Sequence, residues 1–354
     1  MTTRREAIMT AVTALGAAIC DALDIPEADV SEPVPEAPEP TVPAEPVQYG
    51  AILEPEEPII TQEESSVGAG GINRKAGQSI AMKDAWWSDN WIGWKGNDSS
   101  ANPLADVSCE DVFLERFGPL IVMRGAPSIY LNRIMSIEAS VSSYGIGFLR
   151  ATDTIGKLRA HNLTFRGERE ITNANDAFAA ICLWGKDGDT CTDWEISRFD
   201  FRNVIMAAGS NYANADGISV ERGHDLGLIE HGVIKNVSDA GIDCKGENCR
   251  INQMDIEGAR QSLKLWDASD KHGRIISRSP RFAHIIAKPG GSTEAIVIDR
   301  LEAPDAPTKP IVAFESGPRK VVINTLIAPE DQRLFSVENA AEGSQLWING
   351  TQVL

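Results

Sequence analysis

From Val112 onward, hydrophobic and polar residues alternate in short runs, and the runs come in pairs. Each pair is one alternating run, a small or turn-forming residue, and a second run ending in Gly or a charged cluster. Residues 112–115 pair with 120–125, 136–139 with 145–148, 163–167 with 180–184, 199–203 with 217–221, 233–236 with 241–245, and 255–258 with 262–266. Residues 301–304 with 311–315 and 326–329 with 334–338 complete the series, and 274–277 with 283–286 fits it less cleanly. Alternation at period two is the pattern of a strand with one buried face. Measured on the second run, Ile121 to Ile146 spans 25 residues, Ile218 to Ile242 spans 24 and Ile242 to Leu263 spans 21.

A repeat of that length cannot bury its own apolar face, so copies must stack, each strand pairing in parallel with its equivalent one coil away. The pattern predicts an all-β fold, a parallel β-helix of about nine coils over residues 108–354. Parallel crossovers are overwhelmingly right-handed, which sets the expected hand. Gly167, Asn203, Asn236 and Gly258 share one position just after the first run, where a left-handed residue would make the bend between strands. The intervals Ile146 to Ile181 and Ile181 to Ile218 stretch to 35 and 37 residues, so loops leave the coil there. Insertions in a repeat protein collect on one face, often the binding face.

With this coil length, its Gly-Ile-x-Cys/Val strands and its Asn/Gly turn ladder, the chain resembles the pectin-lyase-like family of right-handed parallel β-helix proteins. The resemblance implies the architecture over 108–354. It leaves activity open among polysaccharide lyases, hydrolases, phage tailspikes and adhesins.

Charge changes the picture upstream of the repeats. Fourteen carboxylates lie between Glu6 and Glu64 against Arg4 and Arg5 alone, so this arm carries −12 of the net −18. Nine prolines between Pro26 and Pro58 are interleaved with Glu, Ala and Val, which predicts an extended acidic tether over 26–71 with no core of its own. Residues 72–107 hold Trp86, Trp87, Trp91 and Trp94, half of the tryptophans, and read as an N-terminal cap on the solenoid. Residues 1–25 carry Arg4-Arg5 and then a mild apolar stretch. That segment reads either as a docking helix with Ile8, Val12, Leu15 and Ile19 on one face or as a twin-arginine-like export signal. It is too short and mild to span a membrane. With no basic stripe, nucleic acid is an improbable partner on charge grounds.

A helix, an acidic tether and a β-helix together resemble a phage tailspike or the spike of a virus-like, gene-transfer particle. That layout implies a homotrimer at the particle surface, held to structural proteins through residues 1–71, with the solenoid meeting cell-surface or capsular polysaccharide. The alternative is an exported, secreted or periplasmic polysaccharide lyase or glycoside hydrolase. Six cysteines form no CxxC pair. Cys244 falls in an inward phase, and Cys182 with Cys191 or Cys244 with Cys249 could close disulfides only in an oxidising compartment.

Candidate chemistry follows from the alternation. With Ile218, Ile242 and Leu263 inward, one outward ladder runs Cys182, Ser219, Asp243, Lys264 and its neighbour runs Trp184, Glu221, Lys245, Trp266. Strands ~4.8 Å apart put the Cα atoms of Glu221 and Asp243 roughly 8 Å apart, within reach of the ~5–9.5 Å carboxylate spacing of glycoside hydrolysis. Glu221 and Asp243 are therefore the catalytic candidates, and Trp184, Lys245, Lys264 and Trp266 the carbohydrate-binding ones, walled by loops carrying Asp187, Asp189 and Asp193. The same residues also read as cross-strand ion pairs, Glu221 with Lys245 and Asp243 with Lys264. No metal or cofactor is expected. Ca2+ enters only for a lyase, with Asp216, Asp239 and Asp243 as oxygen ligands and Lys245 or Lys264 as base. His224, His231, His272 and His284 fall around turns and expected outer faces and receive no catalytic role.

Overall fold

The computed structural model describes residues 48–60, 72–74, 78–88, 94–96, 105–139, 147–167, 178–184, 191–206, 213–266, 271–290 and 293–354. The segment 1–25 and most of the tether lie outside these residues, as do Trp91, Asp187 and Asp189. The chain from Val107 alternates long and short strands, nine pairs of them before Gln345–Ile348. Two parallel sheets result: eleven short strands from Ile72–Arg74 to Phe335–Val337, and twelve from Ile80–Ser88 to Thr351–Gln352. Each strand pairs with its equivalent one coil away, so the molecule is a parallel β-helix. Ile218 faces Ile242 and Ile242 faces Leu263, in the register that alternation predicts.

The six long strands from Val107–Glu115 to Arg250–Glu257 bend once in the middle, and a left-handed residue follows at the end of most of them, which makes these coils three-sided. The end bend is the expected Asn/Gly ladder: Asn203, Asn236 and Gly258 have φ of 59°, 56° and 68°, and Asn236 Nδ2 donates to Asn203 Oδ1 at 2.8 Å. Gly167 serves the ladder differently, since a Cβ there would lie 2.0 Å from the Asn203 carbonyl oxygen. Asn236→Ala is expected to cost about 1–2 kcal/mol, read as a lower urea midpoint at unchanged slope. Asn236→Gly should cost less than half of that.

The middle bend had no compositional signal. Asp111, Arg133, Asn162, Arg198, His231 and Gln253 stand in one column, all with φ between 49° and 55°, in register through the flanking pairs. Left-handed backbone at six consecutive non-glycine positions is held by the ladders on both sides, which over-determine each bend.

Inside, apolar side chains stack coil upon coil. Phe148, Phe165, Phe199 and Phe201 are fully buried, with ring centroids 4.7 to 5.9 Å apart. Residues 80–88 belong to this stack: Ile80–Ser88 pairs in parallel with Val107–Glu115, and Trp87 packs on Phe117 in the core. The Trp-rich segment expected as a cap is thus made partly of solenoid strands. At the other end Asn349 and Gly350, with φ of 50° and 79°, turn the chain so that Thr351–Gln352 pairs antiparallel with Gln345–Ile348. Residues 351 and 352 therefore cover the outer edge of Gln345–Ile348.

Two expectations need correction. Residues 145–148 are not the second run of their coil; the short strand is Leu149–Ile155, and Leu149 faces Ile121 and Ile181. Phe148 is apolar and buried just ahead of it, which blurs the alternation phase. The tether also does not stand clear of the solenoid throughout. Residues 48–60 lie along the middle bends, where Ile59 N donates to Asp111 Oδ1, Glu56 N to Asn162 Oδ1, Leu53 N to His231 Nδ1 and Tyr49 Oη to Asp299 Oδ2.

Candidate functional site

The ladders predicted on the short strands pair as read, but Cys182, Ser219 and Asp243 in the first of them are buried and not open to solvent. Cys182 faces Ser219, Ser219 faces Asp243 and Asp243 faces Lys264. The neighbouring column passes through Trp184, Glu221, Lys245, Trp266, Lys288 and Glu315, each residue one coil on from the last. Trp266 is half-buried, and its ring has Lys288, Lys245, Lys264 and Arg222 at 5.0, 5.6, 5.8 and 5.9 Å from its centre. Three coils earlier, Arg150 lies 5.4 Å from the Trp184 ring. The face is an aromatic platform rimmed by cations.

Carboxylates hold those cations in place. Lys245 pairs with Glu221. Lys264 Nζ donates to Asp243 Oδ2 at 2.8 Å and lies 3.7 Å from Asp239 Oδ2, while Trp266 Nε1 donates to Asp243 Oδ1 at 2.9 Å. Lys288 pairs with Glu315 at 3.2 Å. Asp216 sits behind this row, accepting Ala240 N–H at 2.8 Å. Burial, then the nearby carboxylates of Asp243 and Asp239, push the Asp216 carboxyl well above the usual range. Burial pulls the Lys264 ammonium down, but Asp243, with Asp239 and Asp216 behind it, more than offsets that.

This geometry brings all six predicted site residues onto one face, with Glu221 and Asp243 both in ion pairs. Such carboxylates orient lysines and the indole N–H. To act as base or nucleophile, either one would first have to leave its lysine. Asp216 Oδ1 accepts Ala240 N–H, Asp239 Oδ1 accepts from Gln261, and Asp243 accepts from Lys264 and Trp266, while Asp239 Oδ2 has the Lys264 ammonium at 3.7 Å and no hydrogen bond among the described residues. Among the described residues no group of three His, Cys, Asp or Glu side chains is arranged to hold a metal ion. Asp193 is away from this face, paired with Arg159 at 2.5 Å at the start of a long strand.

Two sets of residues went unnoticed in the sequence. His224, His272 and His284 are buried, not at the surface; His272 and His284 stand on the strands His272–Arg278 and Ala283–Ala287, not in turns. His161, absent from the candidates, lines an open cleft of about 380 Å3 with Asn132, Glu195, Ser197, Glu230 and His231, beside Leu53. His161 Nδ1 and Ser197 Oγ are 2.6 Å apart, and Ser197 Oγ lies 3.3 Å from Glu195 Oε1. Burial pushes the His161 imidazole down against the pull of Glu195. Serine and glutamate converge on the same nitrogen, Nδ1, which is not the arrangement of a proton-relay triad. The only signal was alternation in the first half of each long strand, a stretch the repeat pattern did not mark.

The five described cysteines are buried free thiols, and Cys244 is in the core as its phase requires. No described helix is long and apolar enough to cross a membrane. Fold and face together define a parallel β-helix with a cation-rimmed aromatic row. No protein-family model, curated protein or solved structure matches the chain, so its class rests on strand register and this face.

Proposed function

We propose that the protein is a glycan-recognising spike of a phage or virus-like particle, attached through residues 1–71 and binding acidic cell-surface or capsular polysaccharide. The observation that carries this reading is Trp266 inside a ring of four cations, in one column with Trp184. An indole face stacks on the apolar side of a sugar ring, and lysines at its rim meet uronate carboxylates. The roughly 14 Å between the two tryptophans, three coils at ~4.8 Å, suits an oligosaccharide. Trimerisation belongs to the same proposal, because a particle spike presents several such faces at once.

Binding without cleavage fits the paired state of Glu221 and Asp243. One observation favours a second reading, a polysaccharide-cleaving enzyme of the pectin-lyase-like class: burial and the carboxylates of Asp243 and Asp239 push the Asp216 carboxyl well above the usual range, and two carboxyls whose environments differ in this way are the equipment of general acid–base cleavage.

Calorimetric titration with a panel of acidic bacterial polysaccharides tests both. Trp266→Ala is expected to weaken binding about tenfold, ~1.4 kcal/mol, and Trp184→Ala in the same direction. Trp347→Ala, whose ring also lies near a lysine but on the long-strand sheet, should leave binding unchanged. Equal affinity in Trp266→Ala and the native chain would remove the glycan reading. Release of reducing ends or unsaturated products that collapses in Glu221→Gln or Asp243→Asn would establish the enzyme instead.

A further inference from the structure

Residues 48–60 cross the middle bends with a period of three. Tyr49, Ile52, Pro55 and Pro58 are half-buried against the solenoid, and the residues between them are exposed. The backbone N–H groups of Leu53, Glu56 and Ile59, again three apart, are the ones that bond to bend side chains. A polyproline II chain repeats every three residues and ~9.3 Å, and two coils of this solenoid measure ~9.6 Å. The match explains why alternate bend residues, Asp111, Asn162 and His231, accept these bonds. Arg198, between two of them, holds the Glu56 side chain at 3.3 Å instead.

The rungs of this strap respond differently to acid. Asn162 does not titrate. Asp111 is held below the usual carboxylate range by its bond to Arg133. Asp299, which accepts from Tyr49, is also low, because bonds from Lys271, Tyr49 and Asn324 outweigh its burial. His231 is the exception. It accepts the Leu53 N–H at 3.3 Å through Nδ1, which requires that nitrogen to be bare, and histidine is the side chain that takes up a proton between about pH 8 and pH 5. A protonated Nδ1 points a hydrogen at the Leu53 N–H.

We propose that the strap is a pH-released cover: protonation of His231 lifts it at Leu53 from the cleft of His161, Glu195, Ser197 and Glu230, while the rung at Ile59 holds. The charged and titratable groups around His231 are Glu230 in its own strand, Glu195 and Arg198 on the preceding coil, His161 two coils back, Arg250 on the following coil, and Glu54 and Glu56 on the strap. Asn252 and Gln253 on the following coil do not titrate. Release withdraws Leu53 from the lining of that open polar cleft, which lies in the size range of small-ligand sites, so the shape of the cleft becomes coupled to pH. This device is independent of what the short-strand face binds.

Residue-resolved amide exchange of the full chain at about pH 8 and about pH 5, corrected for intrinsic rates, tests the proposal. Protection at Leu53 is expected to fall at least about tenfold in acid relative to the core amide of Ile242, with Ile59 keeping its protection. In His231→Gln, whose side-chain oxygen accepts a bond at either pH, Leu53 should show no such fall. Constant Leu53 protection in the native chain overturns the proposal. So does an equal fall in His231→Gln, or a loss at Ile59 that parallels Leu53. Ile242 protection in the variant reports that it has folded.

Discussion

Acidification from about pH 6.5 to pH 5 is expected to remove about 3 kcal/mol of folding free energy, because two unfolded histidines go from roughly half to fully protonated over that range and each full proton is worth ~1.36 kcal/mol per pH unit. The protons are those of two interior histidines. Burial, with Arg250 adding to it, pushes His272 down to about 3, and burial pushes His284 down to about 4. Each folded value lies below the unfolded one. Their stabilisation is therefore complete above the ordinary histidine range and is lost as pH falls through that range toward about 4 and then about 3. The geometry gives the reason. His272 Nδ1 accepts Ile251 N–H at 3.1 Å, and His284 Nδ1 meets Ser277 Oγ at 2.8 Å, itself 2.6 Å from Ser262 Oγ. Neither ring can take a proton and keep its place. Asp216 acts with the opposite sign: its raised folded value gives stability that is present in acid and lost as pH rises through that value. The measurement is the urea midpoint against pH, compared with His272→Asn and His284→Asn. Each variant should flatten the acid limb by about one proton, whatever its stability at neutral pH. An unchanged limb in both would show that these histidines do not cause it.

Lys264→Met should destabilise the protein by about 3–5 kcal/mol at neutral pH, the usual result of removing one partner from a buried charge cluster. Lys264 stands between Asp243 and Asp239, both buried, with Asp216 buried behind them. Without the ammonium, three carboxyls share an interior site, and Arg260, 3.5 Å from Asp239 and partly exposed, neutralises little of their charge. Methionine keeps the aliphatic stem, so lost packing is a minor part of the expected effect. The gap between native chain and variant should shrink as pH falls, because protonation relieves the orphaned carboxylates. Thermal or urea unfolding at about pH 7.5 and pH 4.5 reads this directly. A loss under about 1 kcal/mol at neutral pH would mean that water reaches the cluster and the pairs are worth what surface pairs are worth.

Much of the solenoid was legible because its information is local. Period-two alternation marks strands, and the spacing of 24 and 21 residues from Ile218 to Ile242 to Leu263 marks stacking. Both survive without knowledge of what packs where. The Asn/Gly bend ladder was readable for the same reason, since Asn203, Asn236 and Gly258 are residue types that take the left-handed conformation at low cost. The middle bends were not, because Asp111, Arg133, Asn162, Arg198, His231 and Gln253 share a backbone conformation and no composition. Missing them hid one side of the coil and, with it, the cleft around His161. On the candidate face the sequence placed Trp184, Glu221, Asp243, Lys245, Lys264 and Trp266 in adjacent columns. It could not say that Glu221 and Asp243 would be tied to Lys245 and Lys264, because that depends on how closely four side chains pack.

By itself, then, the sequence determined the strands, their parallel stacking and the column that joins Trp184, Glu221, Lys245 and Trp266, all consequences of alternation repeated at a fixed period. Only the tertiary structure decided which histidines are interior, how the carboxylates pair, and where residues 48–60 lie. Those outcomes rest on contacts between positions far apart in the chain, 52 residues for Ile59 with Asp111 and 250 for Tyr49 with Asp299. No local pattern encodes such contacts, because they form only once the coils have stacked and the chain has been brought back along them.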